Sequence, residues 1–215
     1  MVDLLAEGEG PLAVALSGGS TPKRLYTLLA TEEFAKRIRW DRVHWFWGDE
    51  RFVPPDDQSS NYHMTWEAML SRVPVPADHV HPVPTVGVSP AESASAYENT
   101  LRAFHGSDRL STPLFHLVLL GLGTNGHFAS LFPGTPALDE RDAWVVPVTP
   151  AGEKTRITLT YPPLESCRHA AFLVAGADKR DVLARVRAGG GDLPASRYRP
   201  QGQLHWFADD AAEGR

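Results

Sequence analysis

With 215 residues, 42% of them hydrophobic and 22% charged, the chain has the size and balance of one folded α/β domain with a substantial core. Its net charge of −5 leaves no basic footprint for nucleic acid, no apolar stretch is long enough to span a membrane, and Met1-Val2-Asp3-Leu4-Leu5 is too short and acidic for a signal peptide. The single cysteine, Cys167, rules out an intrachain disulfide and points to a reducing compartment, so the cytoplasm is expected.

Leu12 to Leu16 reads as a buried strand, closed by Ser17-Gly18-Gly19-Ser20. Thr21 is expected to cap the next helix, with Pro22 at its first position and Leu25, Leu28 and Leu29 on its apolar face. Val43 to Trp47 is a second strand, ending in Gly48-Asp49-Glu50-Arg51. A loop from Pro54 to Ser60 leads to a helix over Asn61 to Leu70. Val73 to Val88 contains Pro74, Pro76, Pro82 and Pro84 and must be extended or irregular. Ser89-Pro90-Ala91-Glu92 is a capping box with proline at N1, opening a helix that runs to about His105. Further strands are expected at His116 to Leu120, Trp144 to Val148, Arg156 to Tyr161, Ala170 to Ala175 and Gln203 to Phe207. A helix should cover Asp178 to Arg187, and Gly189-Gly190-Gly191 reads as a mobile loop. No repeat or linker divides residues 1–215, which are expected to form a single domain. Apolar strands alternating with helices predict a largely parallel sheet covered on both faces, with ligands at the carboxyl ends of its strands.

Two glycine-rich turns follow such strands. In Ser17-Gly18-Gly19-Ser20-Thr21-Pro22, hydroxyls, free N–H groups and the helix dipole would favour a phosphate. The segment lacks the spacing of a Walker A loop, and Pro22 stands where a nucleophile elbow needs glycine. From spacing alone, a phosphate cradle and an ordinary strand-to-helix turn fit it equally.

The second turn, Gly121-Leu122-Gly123-Thr124-Asn125-Gly126-His127, formally matches the dinucleotide fingerprint. Pro133 limits any helix after it, and Asp139, Glu140 and Asp142 precede the next strand rather than end it, so nicotinamide binding is not expected. His127, delivered by glycines after a strand, reads as a general base more readily than as a turn cap. The remaining histidines show no metal-ligand spacing. Asp49, Arg51, Arg156 and Lys179 are candidates for holding an anionic ligand, with Asp49 orienting Arg51, although such charges taken singly are more often solvated.

Together these segments resemble the 6-phosphogluconolactonase family, within the glucosamine-6-phosphate isomerase/6-phosphogluconolactonase superfamily. The resemblance rests on Leu16 to Pro22, Trp47 to Arg51 with Asp57-Gln58-Ser59-Ser60-Asn61, Gly126-His127 through Pro133-Gly134, Arg156 to Thr160, and Gly176-Ala177-Asp178-Lys179. It runs from about Pro11 to Phe207, and the ordered combination is specific where each piece is not.

It implies a Rossmann-like α/β sandwich shared with sugar-phosphate isomerases. The implied reaction is hydrolysis of 6-phospho-D-glucono-1,5-lactone to 6-phosphogluconate in the oxidative pentose phosphate pathway, with no cofactor and no metal. His127, Arg51, Asn125 and Asp49 would be catalytic, and Gly18, Gly19, Ser20, Thr21, Arg156 and Lys179 would bind the phosphate. A phosphorylated sugar lactone is the expected partner, without nucleic acid or membrane, and a monomer the expected state.

Two features depart from the family. Members commonly carry Asp-Gly-His where this chain has Asn125-Gly126-His127, and asparagine can orient an imidazolium but cannot hold it by charge. Relatives also have a strand and helix before the Ser-Gly-Gly-Ser loop, of which only a stub is expected here, leaving apolar surface exposed. Two other functions compete. Glucosamine-6-phosphate deaminases typically carry a Glu-Pro pair after Gly-His, whereas Ala129-Ser130-Leu131-Phe132-Pro133 lacks the carboxylate. A non-catalytic sugar-phosphate sensor would need room and basic charge for a helix-turn-helix segment.

Overall fold

The computed structural model describes residues 1–6, 10–189 and 191–215. A short helix, α1 (Val2–Ala6), precedes β1 (Leu12–Leu16), α2 (Ser20–Leu29) and α3 (Glu32–Ala35). Next come β2 (Val43–Trp47), β3 (Asp49–Arg51), α4 (Asn61–Ala68) and α5 (Pro90–His105). The second half holds β4 (Phe115–Gly121), β5 (Val145–Val148), β6 (Arg156–Leu159), α6 (Tyr161–Glu165) and β7 (Cys167–Val174). It closes with α7 (Arg180–Arg187), α8 (Pro194–Arg197), β8 (Gln203–Ala208) and α9 (Asp210–Glu213).

Five strands pair in parallel in the order β2-β1-β4-β7-β8. β1 is buried at every residue, which is why Leu12 to Leu16 is apolar throughout and does not alternate. From β1 the chain steps to β2 on one side and later to β4 on the other. A crevice therefore opens beyond the carboxyl ends of β1 and β4, where the strand order reverses. At the outer edge of β2 the proline-rich segment takes the place of a strand. Val80 bridges Trp45, and the His81 N–H donates to the Trp45 carbonyl at 2.9 Å, covering part of an otherwise open edge.

The sheet expected from the sequence is present, but it does not hold all the strands. β3, β6 and β5 form a separate antiparallel sheet in the order β3-β6-β5. Only residues 149–155 join β5 to β6, far fewer than a parallel crossover needs, so these two strands can only form a hairpin. Asp49–Arg51, read as the end of a strand, is a strand of this second sheet.

Helix boundaries also move. The N-cap of α2 is Gly19 at φ 104°, not Thr21, and Pro22 falls at the third helical position, still inside the turn whose N–H groups have no intrahelical partner. The helix over Asn61 stops at Ala68, and Ala177–Lys179 is a 3-10 turn before α7. The Ser89/Glu92 capping box has both of its bonds, and α5 ends at Gly106 in the left-handed region, φ 73°. Gly190, in the middle of the glycine triplet expected to be mobile, lies outside the described residues.

Leu5 of α1 is fully buried, while the neighbouring face of β4, β7 and β8 stays open as an apolar groove lined by Leu4, Leu25, Leu117, Leu119, Leu173 and Phe207. Among the described residues no helix is long and apolar enough to cross a membrane.

Candidate active site

The register of the small sheet explains why so much charge meets in one place. Asp49 pairs with Thr158 and Arg51 with Arg156, while Glu50 pairs with Ile157. Side chains alternate along a strand and directly paired residues share a face. Asp49, Arg51, Thr158 and Arg156 thus share one face of this sheet, and Glu50 and Ile157 share the other.

The face with Asp49 and Arg51 borders a cavity of about 270 Å³ beyond the parallel sheet's carboxyl edge. Gly18, Gly19, Ser20, Thr21, Asp49, Arg51, His127, Arg156 and Lys179 all line it. Of the residues singled out from the sequence, only Asn125 does not. It lies behind the histidine, its Oδ1 accepting from His127 Nδ1 at 2.6 Å and from the His127 backbone N–H at 3.2 Å.

That contact settles the imidazole's tautomer by chemistry. An amide oxygen can only accept, so Nδ1 carries the proton and Nε2 keeps its lone pair. Nε2 has no hydrogen-bond partner among the described residues. Burial, the largest cause, holds the His127 pKa below the ordinary imidazole value; Arg156 and Lys179 push the same way, and Asp49 and Glu153 oppose them. The ring is therefore neutral at neutral pH, as a base must be.

Backbone geometry brings the ring there. Gly126 sits at φ 79°, its N–H donates to the Gly123 carbonyl at 2.9 Å, and the Gly123 N–H donates to the His127 carbonyl at 2.8 Å. A Cβ on Gly123 would lie 2.1 Å from both Nδ1 and Cε1 of His127, so the glycine makes room for the imidazole. Residues 128–131 form a tight turn and not the start of a helix, with Phe128 bridging Leu131 and Ala129 at φ 46°.

Across the cavity no side chain caps α2, leaving the N–H groups of Ser20 and Thr21 and the positive end of the helix dipole facing it. The two arginines are directly opposed, an arrangement that costs stability unless an anion lies between them. Arg51 Nη1 donates to the Ser59 carbonyl at 2.6 Å, and Arg156 pairs with Glu153. The buried Nε of each has no partner among the described residues. Such donors are costly when left unsatisfied.

Asp49 does not hold Arg51, as the sequence suggested. Its Oδ2 accepts from the Ser130 hydroxyl at 2.5 Å and lies 3.9 Å from Arg156 Nη1, while Asn61 Nδ2 donates to the Asp49 carbonyl at 2.9 Å. The arginine near this carboxylate is Arg156; Arg51 shares the same face, but its Nη1 turns to the Ser59 carbonyl.

Several supporting residues gave no signal as isolated letters. Tyr26 OH donates to the Ser17 carbonyl and accepts from the Ser17 N–H, clamping the end of β1 at 2.8 and 2.9 Å. Tyr97 clamps Trp47 at the end of β2 in the same way. Glu50 accepts from the N–H groups of Arg51, Asn61 and Tyr62 and from the Ser60 hydroxyl, fastening the start of α4. Only the helix start at Asn61, with an acid shortly before it in a strand, could have pointed to Glu50. Ser130 is fully buried, with its hydroxyl committed to Asp49 and its N–H to Thr158. Among the described residues no group of three or more His, Cys, Asp or Glu side chains is arranged to hold a metal ion.

Comparison with known proteins places this geometry among relatives. The family profile described as "Glucosamine-6-phosphate isomerases/6-phosphogluconolactonase" matches residues 2–206. A 6-phosphogluconolactonase of Nostoc sp. is 44% identical over 214 residues, covering 98% of this chain and 87% of the relative. One of Synechocystis sp. is 42% identical over 208 residues, covering 95% and 84%. The solved 6-phosphogluconolactonase of Trypanosoma cruzi superposes with a TM-score of 0.87 at 33% identity, covering all of this chain and 89% of that one. A monomeric glucosamine-6-phosphate deaminase superposes with a TM-score of 0.83 at 18% identity, a likeness of fold alone.

Proposed function

Since the chain belongs to the glucosamine-6-phosphate isomerase/6-phosphogluconolactonase family, we propose that it hydrolyses 6-phospho-D-glucono-1,5-lactone to 6-phosphogluconate. One observation carries the reading. A neutral histidine with a free Nε2 lines the same cavity as an uncapped helix end and two opposed arginines. The substrate needs both a cradle for its phosphate and a base for water.

The phosphate docks on Gly18, Gly19, Ser20 and Thr21, with Arg156 and Lys179 supplying charge. Nε2 of His127 takes a proton from water as its oxygen attacks the C1 carbonyl. Arg51 holds the developing oxyanion, together with glycine-loop N–H groups other than those of Gly123, Gly126 and His127, which are bonded within the turn. As the C1–ring-oxygen bond breaks, the imidazolium returns the proton to the departing oxygen, leaving carboxylic acid and free hydroxyl. Asn125 keeps the proton on Nδ1 throughout, and Asp49 steadies Arg156. Ser130 is not the nucleophile, because its hydroxyl is buried and donates to Asp49. The proposal extends to a monomer acting in the cytoplasm, supported by a cavity built within one chain and a single, buried, free cysteine.

The test follows the disappearance of enzymatically generated lactone against its spontaneous hydrolysis. Purified protein should accelerate it, and His127→Ala should lower turnover about 10²–10⁴-fold. A His127→Ala activity within a few-fold of the parent would remove the base from the mechanism.

A further inference from the structure

Phe132 has no part in the scheme above, yet it touches two of its members. The side chain is buried, and its ring stacks on the His127 imidazole with centroids 4.2 Å apart and planes inclined by 29°. The Arg156 guanidinium lies 5.2 Å from the same ring centroid. The tight turn at residues 128–131 brings the aromatic there: the Leu131 N–H donates to the Phe128 carbonyl at 3.0 Å, and the chain doubles back toward His127.

The imidazole is thereby bounded on three sides. Asn125 holds Nδ1, Gly123 accommodates one ring edge, and Phe132 covers a face. A single hydrogen bond fixes one atom and leaves the ring free to tilt about it. The stack removes that freedom, and such contacts contribute beyond the area they bury. The same stack keeps water from one face of the base, while the guanidinium contact helps to anchor the phenyl ring.

We propose that Phe132 is a positioning residue of this site, fixing the imidazole plane so that Nε2 faces the cavity and screening the ring from water. The inference rests on the lactonase reading for the role of the base, but not for the placement of the ring. The charged groups acting on His127 come from the elements around it: Asp49 on β3, Glu153 in the turn before β6, Arg156 at the start of β6, and Lys179 after β7. A change at residue 132 leaves all four charges in place, and only Arg156 also loses a contact with the ring.

The experiment compares Phe132→Leu and Phe132→Tyr with the parent chain. It reads the His127 titration by NMR of the imidazole Cε1 proton, together with kcat and KM for the lactone. Phe132→Leu should lower kcat about 10–100-fold, the effect of a base misplaced by an ångström or less, with KM changed less than about threefold. His127 should then titrate nearer the ordinary imidazole value, and the acid limb of the pH profile should move up with it. Phe132→Tyr keeps the ring and should restore both readouts. An unchanged titration with kcat within twofold in Phe132→Leu overturns the proposal. So does loss of the fold in both Phe132→Leu and Phe132→Met, which would make the side chain a core residue only. Because the titration needs no turnover, a parent chain inactive on the lactone would refute the functional reading and still leave this one decided.

Discussion

Gly123→Ala separates positioning from folding more cleanly than removal of a catalytic group would. Gly123 is not among the positive-φ glycines, so alanine is conformationally admissible there. Its Cβ would nevertheless fall 2.1 Å from Nδ1 and Cε1 of His127, where ordinary contact begins near 3.4 Å. The imidazole must retreat by the difference, about 1.3 Å, and in doing so it strains the bond to Asn125 and the stack on Phe132. A side chain can yield in this way at little cost to the fold, so stability should change by about 1 kcal/mol or less. Catalysis should not be so tolerant. A 1 Å misplacement costs about 10²-fold, or about 2.7 kcal/mol in the activation barrier. Urea melts together with kcat/KM for lactone disappearance test the split. A Gly123→Ala enzyme within threefold of the parent kcat/KM would refute the claim that the ring's position matters, and a large loss of stability would refute the claim that only the ring moves.

Asn125→Asp places a carboxylate on Nδ1, which stabilises the imidazolium; the His127 pKa should rise, and the acid limb of the kcat/KM profile should move to higher pH with it. Glu50→Ala leaves the N–H groups of Arg51, Asn61 and Tyr62 without their shared acceptor, so a loss of about 2–4 kcal/mol is expected in urea unfolding. Burial, the main cause, lowers His44 and His116 to a pKa of about 4 in the folded chain, against 6.5 for a free imidazole. The unfolded chain therefore binds more protons between those values, and the urea midpoint should hold above pH 6.5 and fall as the pH drops toward 4.

The elements that the sequence made legible are those whose signals are local. An uninterrupted apolar run such as Leu12 to Leu16 reads as a buried strand, and Ser89 to Glu92 reads as a capping box, because each depends on residues within a turn or two. The two glycine turns that border the cavity, and His127 within one of them, were visible for the same reason. Chain distance also hid information that was present. The seven residues between β5 and β6 are too few for a crossover, yet the reading of a largely parallel sheet did not single out these two strands as a hairpin. Thr21 has the chemistry of a cap, but Gly19 takes the position because the chain must enter α2 at positive φ.

Sequence alone determined the parallel α/β plan and the two glycine turns, one carrying His127, since periodicity, glycine and proline act over a few residues. Which side chains meet was decided by tertiary structure. Asp49 serves Arg156 and not Arg51, Arg51 faces Arg156, and Phe132 lies on His127. These pairings follow from strand register, the path of a turn and the bond that turns Arg51 to the Ser59 carbonyl, and register emerges only when distant segments pack.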